Sequence, residues 1–154
     1  MVKKVIPWIV FIFFFTLIIF GLAFRESLNN SLSVMMKKQV SHEVAQSGNT
    51  LIDSLYNYST NGFNYEITFL EFGATNCSAC KRIESVMEDI RKKYPAQVNV
   101  VFLNILKPEN KNLMKLYGIA AIPTQILLNK NGEEYFRHTG FISTPDMEKE
   151  IMKE

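Results

Sequence analysis

From Val5 to Phe24 the chain runs 20 residues without a charge, and Thr16 is the one ordinary polar side chain in the stretch. A helix of that length spans about 30 Å, the hydrocarbon thickness of a bilayer. No face of it is polar, so it is a poor core helix for a small domain. Lys3-Lys4 precede the run and Arg25-Glu26 close it. A cleaved secretory signal also begins with positive charge, but its apolar region covers about 7–15 residues and ends at a small-x-small site. Gly21-Leu22-Ala23 followed by Phe24 is a poor site of that kind. We therefore expect a cytoplasmic tail over 1–4 and a transmembrane anchor in contact with lipid over 5–24. The dilysine favours a cytoplasmic N-terminus, although Arg25, Lys37 and Lys38 follow on the other side. Anchor or cleaved signal, the remainder is expected outside the cytoplasm.

What remains of the 154 residues has room for one ordinary domain. Twelve Phe and six Tyr exclude intrinsic disorder, and seven Gly with five Pro exclude collagen-like or low-complexity character. A net charge of +2 gives no electrostatic case for nucleic acid as a partner. Two cysteines build neither a disulfide-rich scaffold nor a four-Cys zinc site.

Residues 25–49 are rich in Ser, Asn, Gln and Lys and read as a juxtamembrane stalk. Gly48-Asn49-Thr50 breaks the pattern, so the folded domain is expected over 50–154. Leu51, Ile52, Leu55 and Tyr56 recur at helical spacing, and Asn61-Gly62 marks a turn. Glu66 to Gly73 is short, β-branched and aromatic, as a buried strand should be. Ile83, Val86, Met87, Ile90 and Tyr94 form the apolar stripe of an amphipathic helix that Pro95 ends. Val98 to Leu106 is a second strand, and Pro108 to Tyr117 a short helix stopped by Gly118. Thr124–Leu128 and Glu133–His138 make a hairpin around Asn131-Gly132, and Thr144 is the expected cap of a last helix. The order α-β-α-β-α-β-β-α implies an α/β fold: a central mixed sheet flanked by helices, with a parallel pair and a closing antiparallel hairpin.

Cys77-Ser78-Ala79-Cys80 falls where the first strand gives way to the amphipathic helix. Two intervening residues let both sulfurs meet on one helical turn, so a disulfide can form and break there. Cys77 stands at the helix N-terminus, where unsatisfied N–H groups and the macrodipole favour a thiolate. Lowering a thiol from about 8.5 to about 7 takes roughly 2 kcal/mol. The dipole supplies about 0.3–1 kcal/mol, so direct hydrogen bonds to the sulfur, from the N–H of Ala79 or Cys80 or from the Cys80 thiol, must add to it. Zinc, haem and structural readings fare worse. No second Cys pair exists, position 81 is Lys where haem attachment needs His, and a loop this short gives little stability by the chain-entropy account. No metal or other cofactor is expected. Glu71 interrupts an apolar strand on the side of Phe69 and Gly73. A carboxyl buried there would be pushed up by desolvation and could take the proton of the Cys80 thiol; at the strand end it could instead reach solvent. Ile122-Pro123-Thr124 precedes a strand, a place where X-Pro can be cis or trans.

Together these residues resemble the thioredoxin superfamily, and more narrowly its membrane-anchored bacterial thioredoxin-like reductases. The resemblance runs through Glu71-Phe72-Gly73-Ala74, Cys77 to Lys81, Asn104, Tyr117-Gly118-Ile119 with Ile122-Pro123-Thr124, Asn131-Gly132 and Gly140, and covers about 50–153. It implies a thioredoxin-like fold behind the anchor, a cis bond at Ile122-Pro123 beside a redox-active Cys77–Cys80 disulfide, and Cys77 as nucleophile with Cys80 resolving. It also implies that Glu71 is the buried acid and that backbone around Ile122, Pro123 and Thr124 binds the substrate peptide. The lysine that often accompanies that acid is here Phe102, and Asn76 and Ser78-Ala79 replace thioredoxin's Trp and Gly-Pro. The short interval from Cys80 to Pro123 leaves no room for the inserted helical domain of oxidising relatives.

The expected function is thiol-disulfide exchange at the bacterial cytoplasmic membrane, reducing disulfides in exported proteins. By family analogy, electrons come from a membrane-embedded carrier of the cytochrome-biogenesis type, and apocytochrome c is among the possible substrates. Two other readings stay open: a tethered module that docks a partner or copper, with incidental cysteines, and an oxidase running the same chemistry in reverse.

Overall fold

The computed structural model describes the backbone of residues 2–154; the side chains of 2–7, 22–23 and 25–26 lie outside the described residues. The elements are α1 (Val2–Ala23), α2 (Arg25–Lys38), α3 (His42–Leu55), α4 (Tyr58–Asn61), β1 (Ile67–Gly73), α5 (Ser78–Lys93), β2 (Val98–Asn104), α6 (Lys111–Leu116), β3 (Thr124–Leu128), β4 (Glu134–Thr139) and α7 (Thr144–Ile151). A single 3-10 turn, Pro108–Asn110, leads into α6. The expected tail over 1–4 and both ends of the expected anchor thus fall outside the described side chains. Among the described residues, no helix is long and apolar enough to cross a membrane. The α1 side chains that are described, from Trp8 to Phe20, are nearly all apolar and all exposed.

The sheet order is β2-β1-β3-β4, with β1 parallel to β2 and antiparallel to β3, and β3 antiparallel to β4. β1 is buried along its whole length, because helices cover both faces. Ile67 and Phe69 pack on one side with Ile83, Val86, Met87 and Ile90 of α5 and Met147 and Ile151 of α7. Leu70 and Phe72 pack on the other with Ile52, Tyr56, Leu113 and Tyr117. Each such large side chain withdrawn from water contributes about 1.5–3 kcal/mol, so the central strand is the most firmly held element.

Two local expectations change. Gly48 does not break a helix: α3 starts at its Ser41 cap, whose hydroxyl accepts from Val44 N–H, and runs through Gly48 to Leu55. A Cβ at Gly48 would stand 2.9 Å from Leu116 Cδ2, so the glycine is there to let α6 approach. Thr144 is not the cap of α7; Ser143 is, accepting from Asp146 N–H, and Thr144 begins the helix.

Part of the segment read as a stalk, 25–49, packs against the rest of the chain. Ser33 of α2 is buried and its hydroxyl donates to the Tyr117 carbonyl at 3.1 Å. Lys37 Nζ meets Glu134 Oε2 at 2.8 Å, a carboxylate that Arg137 Nε also holds at 2.7 Å. Gly118, at φ +58°, has the Ser33 backbone directly over it. α2 thereby fastens to the end of α6 and to β4.

Candidate active site

β1 ends at Gly73 and the chain turns through Ala74 to Cys77, whose N–H returns to the Ala74 carbonyl at 3.1 Å. Cys77 caps α5, and its Sγ accepts from Cys80 N–H at 3.2 Å. One of the expected donors therefore does reach the sulfur. Cys77 and Cys80 are joined as a disulfide with their Cα atoms 5.2 Å apart. Their exposures differ: Cys77 is half-buried, whereas Cys80 is 3% exposed. An incoming sulfur can reach only the first. Cys80 lies over Gly73, where an added Cβ would come within 3.3 Å of its Sγ and 2.9 Å of the Phe102 ring. Glycine at 73 is what gives the inner sulfur its seat.

Glu71 does not reach solvent at the strand end; it is 1% exposed. It stands two residues before Gly73 on the same face, about 7 Å back along the strand from the place where Cys80 packs. In register it is flanked by Phe102 of β2 and Gln125 of β3, and Gln125 by His138 of β4. These four side chains form one row across the sheet. Gln125 Nε2 donates to Glu71 Oε2 at 2.8 Å. Glu71 Oε1 and Gln125 Oε1 are buried and have no hydrogen-bond partner among the described residues. Burial pushes the Glu71 carboxyl up to about 8, with the Gln125 amide opposing the rise. Sequence alone leaves Glu71 without a partner once lysine is absent at 102; Gln125 is the residue it misses.

Ile122-Pro123 is a cis peptide. Gly140 N–H donates to the Pro123 carbonyl at 2.8 Å, and Thr124 Oγ1 donates to the Ala121 carbonyl at 2.8 Å. Thr124 is therefore occupied in holding its own loop. Its backbone pairs with Phe72, next to Gly73, which brings Pro123 to the strand end where Cys80 sits. Neither backbone group of half-buried Ile122 has a hydrogen-bond partner among the described residues. Lys81 and Arg82 are exposed, and the Arg82 guanidinium lies 5.2 Å from the Phe141 ring centroid. Among the described residues, no group of three or more His, Cys, Asp or Glu could hold a metal ion.

A mixed four-stranded sheet that carries a closely spaced cysteine pair at a helix N-terminus, over a buried carboxyl and beside a cis-proline loop, defines a scaffold for dithiol chemistry. Comparison with known proteins agrees. The thioredoxin-like domain family model matches residues 60–153, and the chain belongs to that family. Thioredoxin of Rickettsia felis is 40% identical over 65 residues, which are 42% of this chain and 59% of that protein. The thiol-disulfide oxidoreductase ResA of Halalkalibacterium halodurans is 31% identical, over 55% of this chain and 60% of its own. The chain thus spans about three-fifths of the length of these two relatives. Among solved structures, thioredoxin-2, a component of the malaria parasite protein secretion machinery, superposes with a TM-score of 0.53 at 27% identity, covering 58% of this chain and 84% of its own.

Proposed function

We propose that the chain is a membrane-tethered, extracytoplasmic thiol-disulfide oxidoreductase of a bacterial cytoplasmic membrane that reduces disulfides in exported proteins. The observation that carries the reading is the asymmetry of the pair: an outer Cys77 capping α5, an inner Cys80, and the buried Glu71 on the same sheet face. In the reduced protein the Cys77 thiolate attacks a substrate disulfide and forms a mixed disulfide, and the expelled substrate thiolate takes a proton from solvent. Cys80 then gives its proton to Glu71 and attacks Cys77 Sγ. The electron pair of the breaking bond leaves on the second substrate sulfur, and the Cys77–Cys80 disulfide closes. Two electrons have moved to the substrate. The unpaired N–H and C=O of Ile122 suit an extended substrate segment docking as an added strand.

Reduction of the closed disulfide runs the same steps backwards, with neutral Glu71 protonating the departing Cys80 thiolate. Outside the cytoplasm that reduction needs a membrane-embedded electron-transfer partner. The tether is supported by the uncharged 5–24 run and by the exposed apolar side chains of α1; lipid is the medium in which such a surface is stable.

The test is capture by Cys80→Ser in cells, with mass spectrometry of the proteins disulfide-bonded through Cys77 in the membrane fraction. Exported cysteine proteins should be found, and Cys77→Ala should capture none. A resting wild-type pair found fully oxidised would favour an oxidase. Full in vivo function of a Cys77→Ala/Cys80→Ala chain would overturn the enzymatic reading in favour of a docking module.

A further inference from the structure

We infer that Gln125 is a positioning residue for the buried acid: it ties down Glu71 Oε2 and leaves Oε1 as the oxygen that exchanges a proton with the Cys80 sulfur. The inference rests on the redox reading above and deepens it by assigning the atom and its holder. Glu71 and Gln125 are both essentially inaccessible, 1% and 0% exposed, and face each other in register at 2.8 Å. Buried polar atoms are nearly always paired, yet Glu71 Oε1 has no partner among the described residues while the disulfide is closed. A reduced Cys80 thiol is the donor that would satisfy it. When the carboxyl is neutral, the amide N–H disfavours a proton on Oε2, so the proton belongs on Oε1. In the resolving step the S–H bond of Cys80 breaks, the O–H bond of Glu71 Oε1 forms, and the pair left on sulfur makes the bond to Cys77.

Among the described residues, the Gln125 amide is the side chain hydrogen-bonded to the carboxyl. β2 presents Phe102, and the other β1 positions on that face are Ile67, Phe69 and Gly73. α5 presents Cys80 above apolar Ile83, and α7 presents Met147 and Ile151. His138 of β4 lies beyond Gln125, with its Nε2 3.1 Å from the Phe141 carbonyl oxygen. An amide also suits the place chemically, because it steadies a carboxylate without itself taking up or losing the proton.

The full chain in detergent, with glutamate labelled at the carboxyl carbon, gives the test. The Glu71 resonance is the one lost in Glu71→Gln. In oxidised Gln125→Met, which keeps the volume and removes the amide, the carboxyl midpoint should rise by about one pH unit. Reduced protein mixed with an aromatic disulfide reagent releases chromophore in two phases, attack by Cys77 and resolution by Cys80. The second phase should move to higher pH with the carboxyl, and the first should not move. An unshifted midpoint in a folded Gln125→Met chain would make Gln125 a packing residue only. A downward shift would mean that the amide accepts from the neutral acid, which also overturns the assignment. A wild-type chain with no second phase would overturn the redox reading, a failure visible without any variant.

Discussion

Replacing Glu71 by Gln should make the domain more stable, and by an amount that grows with pH. In the folded protein burial raises the carboxyl from 4.5 to about 8. In the unfolded chain it returns to its ordinary value. Between those two pH values the folded state binds the proton and the unfolded state does not. Stability contributed by the neutral acid is therefore complete below pH 4.5 and is lost as pH rises through about 8. The difference of 3.5 units, at 1.36 kcal/mol each, sets a limit of about 5 kcal/mol, of which about 3 is already lost at pH 7. The glutamine amide of the variant cannot ionise, keeps nearly the same shape, and can still accept from the Gln125 amide, so it escapes that loss.

The measurement is denaturant unfolding of the oxidised full chain, wild type against Glu71→Gln, at intervals from about pH 5 to about pH 9, a range that brackets the folded midpoint. The two should be close at the acid end. They should separate by up to about 1.36 kcal/mol per pH unit, with the variant ahead, and the gap should level off above about pH 8. The disulfide must stay closed throughout, since opening it would place a second titrating group beside the carboxyl. A constant gap across the range would refute the reasoning, because it would mean that Glu71 ionises alike folded and unfolded. The same substitution should slow resolution by Cys80, and the remaining rate should lose the pH dependence centred near the carboxyl midpoint.

Phe102→Lys places an ammonium in register with Glu71 and should lower the carboxyl midpoint by about 1–3 units. A carboxyl titration of the oxidised protein reads this directly, and an unmoved midpoint would show that the lysine turns to solvent. Gly118→Ala puts a side chain at φ +58° against the Ser33 carbonyl and should cost about 1–3 kcal/mol. It should also loosen α2, so limited trypsin digestion after Lys37 and Lys38 should accelerate relative to cleavage elsewhere; equal acceleration everywhere would indicate general destabilisation instead.

The fold is legible where local rules act alone. Ile83, Val86, Met87 and Ile90 repeat at helical spacing and bury one stripe; Asn131-Gly132 turns a hairpin; the strand-to-helix step at Cys77 is written in the switch from apolar run to amphipathic pattern. Gly48 misleads because its purpose lies in another element: only the approach of Leu116 explains it. The same is true of 25–49, whose polar composition conceals the few groups, Ser33 and Lys37, that fasten it to Tyr117 and Glu134. Within the site, the cysteines and the proline are legible because their chemistry is local. Gln125 is not, since an amide in a strand acquires meaning only when the register sets it opposite Glu71.

That register is also what binds the site to the fold. Side chains alternate along β1, so a slip of one residue against β2 and β3 would turn Glu71 and Gly73 to the opposite face. Leu70 and Phe72 would then lie under α5, and Glu71 would stand among Tyr117, Leu113 and Ile126. Such a slip would lose the apolar pairing on both faces and strand a carboxyl without its amide, so the core itself forbids it. The seven pairs with β2 and five with β3 thus fix three things together: a bare Gly73 where Cys80 needs room, an acid two residues behind it, and Thr124 beside Phe72, which sets the adjacent Ile122-Pro123 loop at the same strand end. The cysteines supply the reactivity, but the sheet decides which of the two is sheltered.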